Sequence, residues 1–115
     1  MDKTAEKLKD LSLKRKLAHA ELLKRNSKTY KAFLDMEVAT YSDGNLSKKN
    51  KELIAVGISV VINCESCMQW HIEQAYNDGA TQDEILEAIE VGIEMGGGPA
   101  TVSARFALDV LKSLK

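Results

Sequence analysis

Over the first 25 residues, Leu8, Leu11, Ala18 and Leu22 recur at helical intervals with lysine and glutamate between them. That spacing gathers apolar side chains on one face and predicts an amphipathic helix over residues 4–25. Asn26-Ser27 interrupts the pattern. Lys28 to about Tyr41 reads as a second helix, its faces set by Tyr30, Phe33, Leu34, Glu37 and Val38. Ser42-Asp43-Gly44-Asn45 is a turn by composition. Ser47 is a suitable N-cap for a third segment, Lys48 to Ile62. Inside it, residues 54–62 (Ile-Ala-Val-Gly-Ile-Ser-Val-Val-Ile) are apolar nearly all round. Their β-branched content suits a buried strand, whereas their length and the polar turn before them suit a buried helix. The rest of the pattern offers no partner strand, so a helix is expected. A fourth helix starts near Cys64 and ends at Asn77-Asp78-Gly79, where glycine can take the left-handed C-terminal position. Thr81-Gln82-Asp83-Glu84 is a capping box that opens a fifth helix running to about Met95. Gly96-Gly97-Gly98-Pro99 separates it from a last helix, with Pro99 suited to the first turn. The expected fold is all-α, of about six helices.

Composition narrows the class. A chain of 115 residues with 44% hydrophobic and 29% charged residues fits a single folded domain over 1–115. Two cysteines are too few for a disulfide-built secreted scaffold. The N-terminus has no apolar signal-like stretch, and the longest apolar run, 53–62, is about half a membrane span. A soluble, cytoplasmic protein with mostly reduced thiols is expected. The formal net charge of −1 conceals a division. Residues 1–51 carry 13 basic and 7 acidic side chains, and residues 52–115 carry 3 and 10. Acidic residues interleave the basic ones, and no aromatic stacking pattern accompanies them, which argues against nucleic-acid binding. The division instead predicts a basic N-terminal helix, 1–25, that packs across an acidic surface of its own or a neighbouring subunit. It would then serve as an oligomerisation arm.

The chemistry concentrates in Cys64-Glu65-Ser66-Cys67-Met68-Gln69-Trp70-His71. If a helix begins at Cys64, Cys64, Cys67 and His71 share one face at i, i+3 and i+7. A Cys-X-X-Cys pair at a helix N-terminus can close into a disulfide, and the dipole and unpaired N–H groups there favour a thiolate. His71, one turn on, can take a proton from Cys67. Such a thiolate attacks a peroxide or a disulfide, and the second cysteine resolves the product. Two other readings of the same residues stay open. One is a pair of buried structural cysteines. The other is a zinc site of Cys64, Cys67 and His71 with Glu52. Haem attachment needs histidine where Met68 stands, and a thioredoxin-type domain needs a βαβ pattern that is absent. Elsewhere, His19 reads as a solvated surface histidine. Trp70 reads as a packing residue, and Met36, Met68 and Met95 as core or interface fillers.

The spacing Glu52–x11–Cys64–x2–Cys67–x3–His71 resembles the signature of the carboxymuconolactone decarboxylase superfamily, in particular its branch containing alkyl hydroperoxidase D. The flanks agree: Leu46-Ser-Lys-Lys-Asn-Lys-Glu-Leu-Ile-Ala before the motif, then Ala75, Gly79-Ala80-Thr81, Glu84-Ile85, Glu87-Ala88 and the glycine run of 95–100. The resemblance spans about residues 28–114. It implies an all-α fold and an alkyl hydroperoxide reductase-like activity, as an antioxidant peroxidase or a disulfide-reducing adaptor. It also implies a relay in which Glu52 orients His71, His71 deprotonates Cys67, Cys67 attacks and Cys64 resolves. No metal or other cofactor is implied beyond the redox-active Cys64–Cys67 disulfide. The implied partners are further copies of the chain, as a hexamer built as a trimer of dimers, and a thiol electron donor. Ser66 stands where that enzyme has a histidine, so the relay is one member shorter. Two alternatives from other classes are a non-redox lyase or hydrolase acting on a small lactone, and a structural oligomer with an idle site.

Overall fold

The computed structural model describes residues 2–115. Among them the chain forms six helices and no strand. They group into two compact units, Met1–Asp43 and Gly44–Lys115.

The first unit holds α1 (Lys3–Lys24) and α2 (Lys28–Thr40). Asp2 caps α1 by accepting from the Ala5 amide at 2.8 Å, a role that suits a short carboxylate with extended backbone. The helix stops at Asn26, whose φ of 56° is left-handed. There the Ser27 amide reaches back to the Leu22 carbonyl and the Asn26 amide to the Leu23 carbonyl. This pair of bonds is the Schellman closure, and asparagine tolerates its left-handed position better than most side chains. Ser27 then caps α2 through the Tyr30 amide. His19 is not simply solvated. Its Nδ1 lies 2.6 Å from the Tyr30 hydroxyl, with the rings edge-on and their centroids 5.4 Å apart. Leu8 is buried in α1, and α2 has no buried residue.

The second unit holds α3 (Lys48–Val61), α4 (Glu65–Asn77), α5 (Gln82–Gly96) and α6 (Gly98–Ser113). Its core is formed by Val56 and Val60 of α3, Met68 and Ile72 of α4, Ile85 and Ile89 of α5, and Ala107 and Val110 of α6, all fully buried. Each large side chain of this kind contributes roughly 1.5–3 kcal/mol on burial. Lys49 pairs with Glu84 near the start of α3 and α5, and Gly96 lies beside Val61 near their ends. The two helices therefore run side by side in the same direction. Gly57 and Gly92 allow their close approach. A Cβ on Gly92 would stand 2.6 Å from the Gly57 carbonyl oxygen and 3.0 Å from Val60 Cβ.

The apolar segment 54–62 is helical up to Val61, but its burial is one-sided. Val56 and Val60 are in the core, while Ile54, Ile58 and Val61 are 51%, 55% and 45% exposed. With Leu53 and with Val91 and Met95 of α5 they line an open apolar groove of about 540 Å³. Of the three methionines read as fillers, Met68 is in the core, whereas Met36 and Met95 are exposed. The glycine run reduces to a one-residue joint. Gly97, at φ 70° and ψ −152°, ends α5 and caps α6, and Pro99 sits in the first turn of α6. Thr81 and Glu84 make both bonds of the capping box. No helix among the described residues is long and apolar enough to cross a membrane.

Candidate active site

The site is built on the corner between α3 and α4. Asn63, with φ 54°, ends α3 in the left-handed conformation. The Cys64 amide bonds the Ser59 carbonyl and the Asn63 amide bonds the Val60 carbonyl, a second Schellman closure. This leaves Cys64 with extended backbone (φ −102°, ψ 100°) as the N-cap of α4. One residue thus closes the helix that carries Glu52 and opens the helix that carries Cys67 and His71. The Cys64 sulfur accepts the Cys67 amide at 3.2 Å, the place a serine or aspartate oxygen usually fills. The common face expected for Cys64, Cys67 and His71 is therefore not helical at Cys64. The Schellman turn takes up one more residue than the pattern showed. Cys67 and His71 keep their one-turn spacing within α4.

Cys64 and Cys67 are joined as a disulfide, with Cα atoms 5.2 Å apart, and both residues are partly exposed. Deeper in, Glu52 is only 2% exposed. A buried carboxylate needs partners for its lone pairs. His71 Nδ1 lies 2.6 Å from Glu52 Oε1, and Lys48 Nζ lies 3.1 Å from Oε2. A carboxylate that accepts the Lys48 ammonium on Oε2 offers only an acceptor at Oε1, so Nδ1 is the donor. In the neutral ring this tautomer leaves the basic lone pair on Nε2. Lys48 also reaches Asp78 Oδ2, at the C-terminal cap of α4. Burial works against the Lys48 ammonium. Hydrogen bonds and attraction from Asp78 and Glu52 outweigh it, and its pKa stands above the ordinary lysine value.

Glu52 and His71, 19 residues apart in the chain, meet in the structure. Sequence reasoning missed Lys48 and Asp78. Lys48 sits four residues before Glu52, a legible helical pair. Asp78 lies 30 residues further on and offers no such signal. Among the described residues, no cluster of three or more His, Cys, Asp or Glu side chains is arranged to hold a metal ion.

The arrangement can hold a thiolate at a helix N-terminus, close it into a disulfide, and offer a carboxylate-oriented imidazole one turn away. Comparison with known proteins places it among relatives. The model of the carboxymuconolactone decarboxylase family matches residues 27–110. Protein 4 of the cox locus of Paracoccus denitrificans, itself uncharacterised, is 41% identical over 72% of this chain and 75% of its own length. An uncharacterised protein of Cupriavidus necator is 39% identical over 72% and 74%. The crystal structure of an apo carboxymuconolactone decarboxylase family protein from Legionella pneumophila superposes with a TM-score of 0.87 at 30% identity, over 93% of this chain and 96% of that one. A family structure from Thermotoga maritima, described as a candidate in antioxidative response, gives 0.78 at 28% identity, over 87% and 86%. The six-helix fold, the match over most of the chain and the Cys64–Cys67 pair together show that this chain belongs to the carboxymuconolactone decarboxylase family, with a dithiol that fits its alkyl hydroperoxidase D-like branch.

Proposed function

We propose that this chain is a dithiol oxidoreductase that reduces hydroperoxides through Cys67 and Cys64. The observation that carries the reading is the Glu52–His71 pair, at 2.6 Å, one helical turn from a Cys-X-X-Cys closed as a disulfide. In the reduced protein, His71 Nε2 takes the Cys67 thiol proton, and Glu52 stabilises the resulting imidazolium. The thiolate attacks the near oxygen of the hydroperoxide. An S–O bond forms, the O–O bond breaks, and the leaving alkoxide takes a proton to become an alcohol. The Cys64 sulfur then displaces hydroxide from the sulfenic acid, which leaves as water and closes the disulfide. A thiol donor, oxidised in turn, returns two electrons by exchange. The N-cap position suits Cys64 as the leaving sulfur in that exchange. The Cys67 amide donates to it, and a stabilised thiolate leaves faster. The description of the Thermotoga neighbour supports a role in oxidant defence. The cytoplasm, where thiol donors are abundant, is the compartment this chemistry suits.

The test is a thiol count on reduced protein treated with an organic hydroperoxide. Two thiols per chain should disappear with no intermolecular bridge. His71→Gln should slow that loss by about 10²- to 10⁴-fold, the usual contribution of a general base. Two thiols that survive an excess of peroxide would sink the proposal. An unchanged rate in His71→Gln would remove His71 from the mechanism. Turnover of a small lactone that persists in the Cys64→Ser, Cys67→Ser double variant would favour the lyase alternative.

A further inference from the structure

We propose that Lys48 is a positioning residue that sets the proton affinity of the Glu52–His71 pair, with Asp78 as its counterweight. Its bearing on thiol chemistry rests on the reading of His71 as the base that accepts the thiol proton.

The geometry is a line of alternating charge. Asp78 Oδ2 meets Lys48 Nζ, Lys48 Nζ meets Glu52 Oε2, and Glu52 Oε1 meets His71 Nδ1. The line ties the first turn of α3 to the C-terminal cap of α4. Glu52 is enclosed within it, between Lys48 and His71, while Lys48 and Asp78 are 35% and 26% exposed. The buried carboxylate therefore divides its negative charge between a fixed cation and a ring that becomes a cation only on protonation. Lys48 is fixed in this sense because Asp78 and Glu52 hold it in its charged form throughout the range in which an imidazole titrates. Its charge repels a proton arriving at His71 and neutralises part of Glu52's pull on it. Asp78 moderates Lys48 by drawing on the same ammonium.

Other ionisable groups lie on the helices packed around the pair. On α5, Glu84 is committed to Lys49 and to its own N-cap. On α6, Arg105 is exposed and Asp109 half-buried. On α4, Glu65 and Glu73 are half-buried, and Cys64 and Cys67 carry no charge while they are bonded to each other.

The signs follow from Coulomb's law. Without the charge of Lys48, the whole carboxylate charge falls on His71, which holds its proton to higher pH. An imidazolium has no lone pair on Nε2 to accept a thiol proton, so oxidation of the dithiol needs a higher pH. Without the charge of Asp78, Lys48 acts undivided and the opposite shift results.

The test uses the full chain with Lys48→Met, Asp78→Asn and Lys48→Arg. The first measurement is an NMR titration of the His71 ring in the oxidised protein, with His19→Gln identifying the other histidine. The second is the rate of thiol loss to an organic hydroperoxide as a function of pH. Lys48→Met should raise the titration midpoint and the acid limb of the rate profile by about half to one pH unit. Asp78→Asn should lower both by less, and Lys48→Arg should restore the wild-type midpoint. Midpoints that move in the same direction in the first two variants, or in neither, would overturn the proposal. A merely structural role would lower the unfolding temperature of all variants without producing shifts of opposite sign. If the midpoints move as expected while the oxidation rate ignores them, Lys48 tunes the pair and the reading of His71 as the thiol's base fails.

Discussion

The two units of this chain rest on different physical terms. In Gly44–Lys115, four helices enclose a continuous set of fully buried side chains, and two glycines let α3 and α5 run nearly in contact. In Met1–Asp43, Leu8 is buried, α2 has no buried residue, and Leu13, Leu17, Phe33, Met36 and Val38 are all about half exposed or more. What orders those two helices locally is polar. Asp2 and Ser27 cap them, Lys14 pairs with Asp10 and Arg25 with Glu21 along α1, and His19 meets Tyr30 between the two. Exposed i,i+4 pairs are each worth only about 0.3–0.5 kcal/mol. The candidate site sits in the unit with the packed core. A relay of 2.6–3.1 Å contacts keeps its geometry only when its helices are held by burial.

The contrast can be broken most directly at Gly92. Gly92→Val places a branched side chain where a single Cβ already meets the Gly57 carbonyl oxygen and Val60. The expected loss is about 3 kcal/mol or more in thermal unfolding, since backbone cannot yield as a flexible side chain does. Leu13→Ala on α1, 53% exposed, should cost less than about 0.5 kcal/mol. Equal losses at the two sites would erase the distinction. A middle-sized effect is expected at Tyr30→Phe, which removes the hydroxyl that meets His19. About 1 kcal/mol should be lost, seen as faster amide exchange in residues 3–40 with exchange in α3–α6 unchanged. The smallest effect belongs to Glu84→Gln. The Thr81 amide and Lys49 hold the Glu84 carboxyl below its ordinary pKa. A lowered pKa stabilises the fold above the ordinary carboxylate value, and that stability is lost as the pH falls through the lowered one. The variant should therefore be slightly less stable than wild type at neutral pH, and the difference should vanish on acidification. A difference that grows in acid would reverse the assignment.

Most helix ends were readable because capping is local chemistry. Ser47, Thr81 with Glu84, Gly79 and Pro99 each act within four residues of themselves. Glu52, Cys64, Cys67 and His71 were readable as a spaced motif, and the fold brings Glu52 to His71 and Cys64 to Cys67. The position of Cys64 outside the helix was not readable. It depends on Asn63 taking a left-handed conformation, which asparagine permits without compelling. The one-sided burial of 54–62 was hidden for another reason. Hydrophobicity all round a helix does not say which stripe the neighbours cover, and Ile58 is no less apolar than the buried Val60. The charge division also changes meaning. Lys48 and Lys49, counted with the basic half, are spent on Glu52, Asp78 and Glu84 of the acidic one.

By itself the sequence determined the helices, the residues that begin and end most of them, and the dithiol with its histidine and glutamate. The helices, their caps and the Cys67–His71 spacing follow from short-range rules, whereas Glu52 was legible only through the resemblance to the family. Only the tertiary structure decided which apolar stripe of α3 stays uncovered, that Gly57 and Gly92 form a contact, and that Lys48 and Asp78 join the site. Each of these depends on two elements approaching in space, a distance set by packing of the whole unit and written in no single stretch of the chain.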